Sequence, residues 1–323
     1  MLQQSLAALS RAIEHHGGNH EVIVVLDHES NDGSRELVQT QFPRTMLLQA
    51  QRSLYFGAAT RLGVQNSNRD IVVLLNNDTV VEENFLGPLL APFGDELVFG
   101  VASHVHSAEG AETGKTRAYF GAGDMNWVHD PVDAQNNGEE TCRVSWLHRG
   151  AVALDRRKYD WLGGFDPLYD PFFFEDADLS YRAWAAGWKC LLALNSHVTH
   201  QHEFRSPPQG EEFLRLIALR NAHIFFWKNI HDFRMLAGRG WASLARRMRR
   251  WRTSGMDPRT EWRSLISALK RSPAILRKRL ADSRWRARSD RELLEMVSKQ
   301  NHRLASAPPK SASLTGVVGN ADQ

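Results

Sequence analysis

Five consecutive apolar residues, Ile71 to Leu75, end abruptly in the polar triplet Asn76-Asn77-Asp78. An apolar run of this length predicts a strand buried on both faces of a sheet. The triplet then follows the carboxyl end of that strand, where open α/β sheets bind their ligands. Asp78, flanked by amides, is therefore a candidate ligand for a hard cation. For the triplet alone, a plain Asx turn is the simpler interpretation.

Helical and strand patterns alternate on the amino-terminal side of this run. Leu2 to His16 carries a helical apolar stripe, and Glu21 to Leu26 predicts a strand that ends at Asp27. The order α-β-α-β-α-β is typical of parallel strands joined by crossover helices. The chain opens on a helix without the strand that should precede it. We expect either a sheet that lacks its first strand or a start codon further upstream, preceded by a Val- and Ile-rich strand ending in Asn or Asp.

The remaining patterns complete an α/β body. Residues 108–141 are polar and Gly-rich and predict loops or hairpins. Strands are predicted at Phe99–His106, on either side of a bend within Val144–Leu154, and at Trp188–Leu194, and helices at Glu82–Phe93, Asp176–Ala186 and Glu211–Ile230. We predict one domain over residues 1–230, a basic helical extension over 231–300 and a disordered tail over 301–323.

Composition excludes several classes of protein. A hydrophobic content of 42% and a charged content of 24% are ordinary for a globular domain. Cys142 and Cys190 offer neither metal-binding spacing nor a disulfide framework, which fits a reducing cytosol. No apolar run approaches the roughly 20 residues that cross a bilayer, and Met1 opens no leader sequence. We therefore expect neither export nor membrane spanning.

The basic residues are concentrated in one segment. Between Arg234 and Arg288, 17 Lys and Arg residues stand against three acids, whereas the whole chain carries a net charge of +3. This segment also contains Trp241, Trp251, Trp262 and Trp285. Trp combined with Lys and Arg favours a peripheral anionic membrane surface. A solvated helical face and a nucleic-acid patch are the other interpretations, in that order, and we expect no nucleic-acid partner.

Two groups of side chains are candidates for chemistry. Glu175, Asp176 and Asp178 follow an aromatic run at a predicted helix start. Acids are common in a first helical turn because they interact favourably with the helix dipole, but a carboxylate beside apolar rings also suits general-base work. Imidazole is a common metal ligand, yet the spacings within the pair His104/His106 and the trio His197/His200/His202 are weak evidence for a metal site.

Three blocks together resemble glycosyltransferase family 2, in its rhamnosyltransferase-like bacterial branch. They are Asp27–Ser34, Leu74–Thr79, and Gly163–Asp166 continuing through Glu175–Arg182. They occur in the family's order, and the resemblance covers about residues 1–230. It implies the GT-A fold, a Rossmann-like and mostly parallel sheet flanked by helices. It also implies inverting transfer of a sugar from a nucleotide-sugar, UDP- or dTDP-linked, with a divalent metal, Mn or Mg.

The resemblance implies a role for each residue on the donor side. Asp27 would contact the base or ribose of the nucleotide. Asn76, Asn77 and Asp78 are similar to the family's DXD-type motif, with Asp78 as the main ligand of the metal. His200 matches the histidine that reaches the metal after the last core strand.

On the acceptor side, the resemblance implies that Asp176, in the pair Glu175-Asp176, deprotonates the acceptor hydroxyl. Gly150 and Trp146 would lie where the acceptor-side strand passes the donor. The acceptor is expected to be a cell-surface glycan or a lipid-linked glycan at the inner face of the cytoplasmic membrane.

The chain departs from the family pattern at two places. The first strand, which covers the base and ribose in the family, is absent, and Ser53, Tyr55 and Arg61 replace small and amide residues around the second crossover helix. The alternative hypothesis is a catalytically weakened paralogue that binds nucleotide or serves assembly.

Overall fold

The structure, a computed structural model, describes residues 1–28, 30–51, 54–107, 112–113, 115–121, 124–131, 138–148, 150–201, 210–240 and 258–302. Helices and strands alternate over the first 75 residues, as predicted. These elements are α1 (Leu2–His16), β1 (Ile23–Leu26), α2 (Ser34–Gln41), β2 (Met46–Gln49), α3 (Phe56–Gln65) and β3 (Ile71–Leu75). β1 and β2 run parallel and form a two-stranded sheet of their own.

The strands that follow are β4 (Thr79–Val81), β5 (Val98–Ser107), β6 (Glu112–Thr113), β7 (Lys115–Gly121), β8 (Asp124–Asp130), β9 (Thr141–Arg143), β10 (Ala151–Asp155) and β11 (Lys189–His200). A seven-stranded sheet has the path β3-β10-β5-β11-β4, with β6 beside β5 and β9 beside β11. β5 and β11 are parallel, whereas β10 is antiparallel to β3 and to β5. The α/β class is confirmed, but this sheet is mixed rather than mostly parallel, because β10 is reached through irregular residues instead of a crossover helix.

The later helices are α4 (Leu86–Leu90), α5 (Arg156–Trp161), α6 (Glu175–Ala185), α7 (Gly210–Asn229), α8 (residues 233–240), α9 (Pro258–Leu269), α10 (Ser272–Asp282) and α11 (Asp290–His302). The helix predicted at Glu82–Phe93 is shorter and continues as a 3₁₀ turn at Ala91–Gly94. The polar stretch between β5 and β9 contains a hairpin of two seven-residue strands, β7 and β8. The strand predicted at the start of Val144–Leu154 is absent, and residues 144–148 are irregular.

Two hydrophobic cores lie on opposite faces of the central sheet. The smaller one joins Ala8 and Ala12 of α1 to Phe85, Leu89 and the edge of the sheet. The larger one contains the aromatic residues of α6 and α7, and also Ala268, Ile275 and Leu293 of α9, α10 and α11. The described part of the basic extension is therefore packed onto the α/β body. Residues 301 and 302, predicted as tail, end α11, and residues 303–323 lie outside the described part.

An open slot separates β1 from β3. In the described part of the chain, β1 pairs only with β2, and β3 pairs only with β10. Both strands line one cavity of about 570 Å³, together with α1 and α3. All five residues of β3 are half-buried rather than buried. Alternate side chains of β3 pack against the two cores, as predicted for a strand covered on both faces. They are only half-buried, because no described strand pairs with the free edge of β3.

No helix in the described ranges is both long and apolar enough to cross a membrane. Cys142 and Cys190 are buried thiols that form no disulfide. Burial raises the pKa of the Cys142 thiol to about 11, and neither cysteine contributes to the sites described below.

Candidate active site

The triplet after β3 forms a turn and also faces a histidine. The Thr79 backbone N–H donates to the Asn76 carbonyl at 3.2 Å, so the turn interpretation is correct for the backbone. β4 then begins at once, and Thr79 pairs with His200 across the antiparallel strands β4 and β11. His200 is thus the last residue of β11 and does not lie beyond the strand, as the sequence suggested. This register brings Asp78 and His200 together.

Two side chains converge on one ring nitrogen of His200 at this sheet edge. His200 Nε2 lies 3.0 Å from the Asn76 amide nitrogen and 3.0 Å from Asp78 Oδ1. If the Asn76 N–H donates to Nε2, the imidazole has no proton there to give to Asp78. Consistently, Asp78 Oδ1 is a buried oxygen without a hydrogen-bond partner among the described residues. A carboxylate oxygen, an imidazole nitrogen and an amide suit a divalent cation, so these residues fit the metal that the resemblance implies. Asn77 is exposed and points to no such contact.

Gly150 contacts the triplet through its backbone. Its carbonyl accepts from the Asn76 N–H at 3.2 Å, and its φ of +148° favours glycine. A Cβ at this position would lie 2.8 Å from Val105 Cγ2. Glycine is therefore required where the chain passes between β5 and the triplet.

Asp176 faces the same region from α6. A small cavity of about 20 Å³ is lined by Asp176, Asn76 and Gly150 together with apolar residues of β10 and α6. Asp176 Oδ1 accepts from the Ala177 N–H at 2.8 Å, which restrains its carboxylate. The candidate base and the candidate metal-binding triplet, 100 residues apart in the sequence, therefore share one cavity.

The backbone just before α6 is strained. Phe173 and Phe174 both have φ of +74°, a left-handed conformation that costs a non-glycine residue about 1–3 kcal/mol. Asn221 of α7, fully buried, holds this turn through its side-chain amide, which lies 2.8–2.9 Å from the carbonyl oxygens of Tyr169, Phe172 and Phe173. No sequence pattern pointed to Asn221, because its partners lie about 50 residues away.

The three acids at the start of α6 have different surroundings. Asp178 is fully buried and contacts Lys228 Nζ at 2.7 Å and Arg182 Nε at 2.8 Å. Although burial alone would raise its pKa, these two cations hold the pKa of Asp178 below its ordinary value. Asp178 is thus an ionised structural group that anchors α6. Glu175 is also buried, so Asp176 is the acid of the three that is partly accessible.

Two predicted donor contacts lie elsewhere. Asp27 directly follows β1, across the slot from Asn76, and its carboxylate accepts from the backbone N–H groups of His28 and Leu54 at 2.8 Å each. Trp146 lies in the larger core, 8% exposed and edge-on to Trp127 at 5.3 Å. The structure brings neither side chain to the triplet. Trp146 is a packing residue here because residues 144–148 do not form the predicted strand.

Other expectations concern residues near the site. Arg61, one of the departures from the family pattern, donates to the Phe165 carbonyl at 3.1 Å and lies 3.6 Å from Asp170, so it braces the loop before α6. Tyr55 packs edge-on against Phe172. Ser53 and His202 lie outside the described residues.

The fold is the GT-A glycosyltransferase fold, with a central mixed sheet flanked by helices. Over 90% of the chain, the structure superposes on an enzyme described as "GalNAc-T7 with UDP, GalNAc and Mn2+", with a TM-score of 0.60, 16% identity and coverage of 52% of that chain. At this identity, the likeness establishes the fold alone.

Residues 1–159 match the family model for "Glycosyl transferase family 2". The chain is also 25% identical over 223 residues to "Polypeptide N-acetylgalactosaminyltransferase 11" of Xenopus tropicalis, which covers 64% of this chain and 37% of that protein. A second relative, "Putative polypeptide N-acetylgalactosaminyltransferase 9" of Drosophila melanogaster, is 23% identical over 247 residues, 70% of this chain and 37% of its own length. The chain thus spans little more than a third of these relatives. They are animal enzymes, so the finer resemblance to a rhamnosyltransferase-like bacterial branch was wrong.

Proposed function

We propose that this chain is a metal-dependent glycosyltransferase that moves a sugar from a nucleotide-sugar to an acceptor hydroxyl. One observation carries the proposal: Asn76, Asp78 and His200 converge at the carboxyl ends of two strands, and Asp176 lies on the cavity that Asn76 lines. The match to glycosyl transferase family 2 and the similarity to N-acetylgalactosaminyltransferases support it. The acceptor is proposed to be a cell-surface or lipid-linked glycan.

The donor side follows from the chemistry of the triplet. Asp78 and His200, with the Asn76 amide, would hold Mn or Mg. When bound, such a metal neutralises the diphosphate of a UDP- or dTDP-linked donor as a Lewis acid. The nucleotide then lies along the ends of β3 and β1, where Asp27 would contact the base or ribose. Gly150 keeps this edge open because any side chain there would collide with Val105.

On the acceptor side, Asp176 is the proposed base. Asp176 is restrained by the Ala177 N–H and would accept the proton of the acceptor hydroxyl as that oxygen attacks the sugar. A single base opposite the leaving group gives inversion at the anomeric carbon. The strained turn at Phe173 and Phe174 fixes the direction of the carboxylate before the acceptor arrives, since strain at such sites is commonly part of pre-organisation.

Two substitutions test the proposal. Asp78→Asn should abolish Mn-dependent binding of UDP or dTDP in calorimetry, and Asp176→Asn should leave that binding intact while abolishing sugar transfer. Glu36→Gln, at an exposed site on α2, serves as the matched carboxyl-to-amide control. NMR of the product reports the anomeric configuration. Unchanged turnover in Asp176→Asn would reject the base, and retention of configuration would reject the inverting mechanism.

The slot between β1 and β3 bears on the alternative of a weakened nucleotide-binding paralogue. We infer that one extended apolar strand completes the sheet there, parallel to β1 and β3 and joined directly ahead of α1. Right-handed crossover connections of the form strand, helix, parallel strand would place it there, because α1 leads straight into β1. Calorimetry with UDP or dTDP plus Mn should then show tighter binding to an amino-terminally extended chain. Equal binding by both chains, or by neither, would reject a role of the inferred strand in nucleotide binding.

The basic extension is proposed to contact an anionic membrane at its inner, cytoplasmic face. On α9, the apolar side chains of Trp262, Ile266 and Leu269 lie on one helical face, and on α10 those of Leu276 and Leu280 do so; each is 50–57% exposed. The exposed cations around them are Arg259, Arg263, Lys270, Arg277 and Arg284. An apolar face rimmed by cations suits a headgroup surface. Trp285 packs edge-on against Trp161, and Trp241 and Trp251 lie outside the described residues.

Flotation with liposomes tests this contact. Binding should require phosphatidylglycerol and should weaken in Trp262→Ala and in Arg263→Ala. Trp161→Ala, on α5 and outside this face, provides the matched control. Binding to neutral phosphatidylcholine alone, or equal binding by all variants, would contradict the proposal. A band shift with DNA at physiological salt would favour a nucleic-acid partner instead.

A further inference from the structure

Three histidines cluster between β5 and β11, on the side of the sheet away from the smaller core. The candidate ligand nitrogens of His104, His106 and His197 all lie within 4.8 Å of one another. His106 Nε2 and His197 Nδ1 are 3.0 Å apart, and the ring centroids of His104 and His106 are 4.6 Å apart. We propose that this cluster binds a transition-metal ion, with zinc as the expected occupant, at a site distinct from the Asp78–His200 site.

An irregularity in β11 creates the cluster. β11 pairs with β5 in parallel through Ala193 and Ser103, and pairing resumes at His197 and His104. The three residues between Ala193 and His197 are extra on β11. If the pairing continued in register beyond Ala193, the apolar residue Leu194 would lie opposite His104. A bulge of this kind re-aims a side chain, and here it delivers a third imidazole to two that already share one face of β5.

The ligand set selects the class of metal. Imidazole nitrogens suit zinc, copper and nickel, whereas Mg and Mn prefer oxygen ligands. Three histidines with one open position are an established arrangement for zinc, with Zn–N distances of about 2.0–2.1 Å. Tetrahedral ligands at that distance are about 3.4 Å apart. The observed nitrogens, from 3.0 Å to within 4.8 Å, reach that spacing by small side-chain rotations.

The cluster and the Asp78–His200 site lie on opposite faces of β11. Side chains alternate along a strand, and His200 is three positions after His197. Val105 and Val198, which pair next to the histidines, belong to the smaller core on the other face. A metal at the cluster would tie β5 to β11 at the break in their ladder. It would thereby fix the strand end that carries His200, without contacting the nucleotide site itself.

The test uses the full chain and metal alone. After equilibration with Zn²⁺ and gel filtration, mass spectrometry of the metal should give one zinc per chain, in the parent and in Asp78→Asn. Co²⁺ in its place should give the visible d–d absorption of a tetrahedral nitrogen site. His104→Gln, His106→Gln and His197→Gln should each weaken zinc binding by more than about a hundredfold, beyond the 10–100-fold cost of losing an outer-shell partner.

His231→Gln, at a half-buried histidine outside the cluster, is the matched control and should bind zinc like the parent. Thermal unfolding without metal checks that each variant is folded, and added Zn²⁺ should raise the Tm of the parent and not of the cluster variants. The proposal is overturned if the parent binds no zinc. It is equally overturned if zinc binding survives all three cluster substitutions or is lost in Asp78→Asn.

Discussion

Asn221 offers the sharpest test of the strained turn ahead of Asp176. Its side-chain amide lies 2.8–2.9 Å from the carbonyl oxygens of Tyr169, Phe172 and Phe173. Asn221→Leu keeps the side chain near the same size and removes the amide. We expect the turn to relax toward ordinary φ values and to carry the start of α6, and therefore Asp176, out of position.

The expected change in the free energy of unfolding follows from the hydrogen bonds that are lost and the backbone strain that is released. An amide nitrogen has two N–H groups, so it makes at most two hydrogen bonds at one time, and each contributes about 0.5–1.5 kcal/mol net. Two lost hydrogen bonds cost about 1–3 kcal/mol. Relaxation of Phe173 and Phe174 releases strain of about 1–3 kcal/mol each, which offsets much or all of that cost. The free energy of unfolding should thus fall by no more than about 3 kcal/mol. Activity should fall more steeply, because a displacement of about 1 Å can cost roughly a hundredfold in rate.

The assay compares the two readouts in one variant. Urea unfolding gives the stability, and release of nucleoside diphosphate at saturating donor gives kcat. Asn229→Leu, two turns later on α7, is the control, because Asn229 donates to Asp178 Oδ1 at 2.8 Å and to the Tyr169 hydroxyl at 3.4 Å, and not to the three carbonyl groups that Asn221 holds. It should lose comparable stability with a far smaller loss of kcat. If Asn221→Leu keeps its kcat while losing stability, the turn does not aim Asp176 and the reasoning is refuted.

Other predictions concern the groups around the site. Since the folded-state pKa of Asp178 lies below its unfolded value near 3.8, its ionisation stabilises the fold above that value. This stability is lost as pH falls through the lower folded pKa, so acid unfolding should be shallower in Asp178→Asn. Lys228→Met removes a cation 2.7 Å from that buried carboxylate and should cost about 3–5 kcal/mol in urea unfolding; a cost below 1 kcal/mol would show that Arg182 suffices. Gly150→Ala should cost about 1–3 kcal/mol by overpacking against Val105, and Val105→Ala in the same chain should recover only part of that cost, because the φ of +148° still strains an alanine there.

Local patterns were sufficient for the amino-terminal half of the fold. The strand at Ile71–Leu75 was predicted with the bounds that the structure has, since an apolar run bounded by polar residues leaves little choice of element. The region of β7 and β8 was predicted only as loops or hairpins, without strand positions. The alternation of apolar and polar residues there is interrupted by further polar and glycine residues. Strand direction was not predictable either, because β10 takes its orientation from neighbours far away in the sequence.

In the candidate site too, residues in local motifs were predictable and residues that act through distant contacts were not. Asp78, His200, Gly150 and Asp176 were predicted because their motifs are local and their order is that of a known family. Asn221 was missed, because it acts through carbonyl groups that any sequence could supply. The three acids of α6 look alike in sequence, and only the burial of Asp178 between Lys228 and Arg182 assigns it a structural role.

The slot between β1 and β3 links stability to donor binding. Asp27 directly follows β1 on one side of the slot, and Asn76 directly follows β3 on the other side. A strand inserted between them would pair with both free edges, and its carboxyl end would fall between the two residues proposed to contact the nucleotide. Burial of β3 and nucleotide affinity should therefore rise together in an extended chain. Thermal unfolding and calorimetry on the same pair of proteins measure both quantities. A gain in Tm without a gain in affinity would mean that the inserted strand completes the core but does not form part of the nucleotide site.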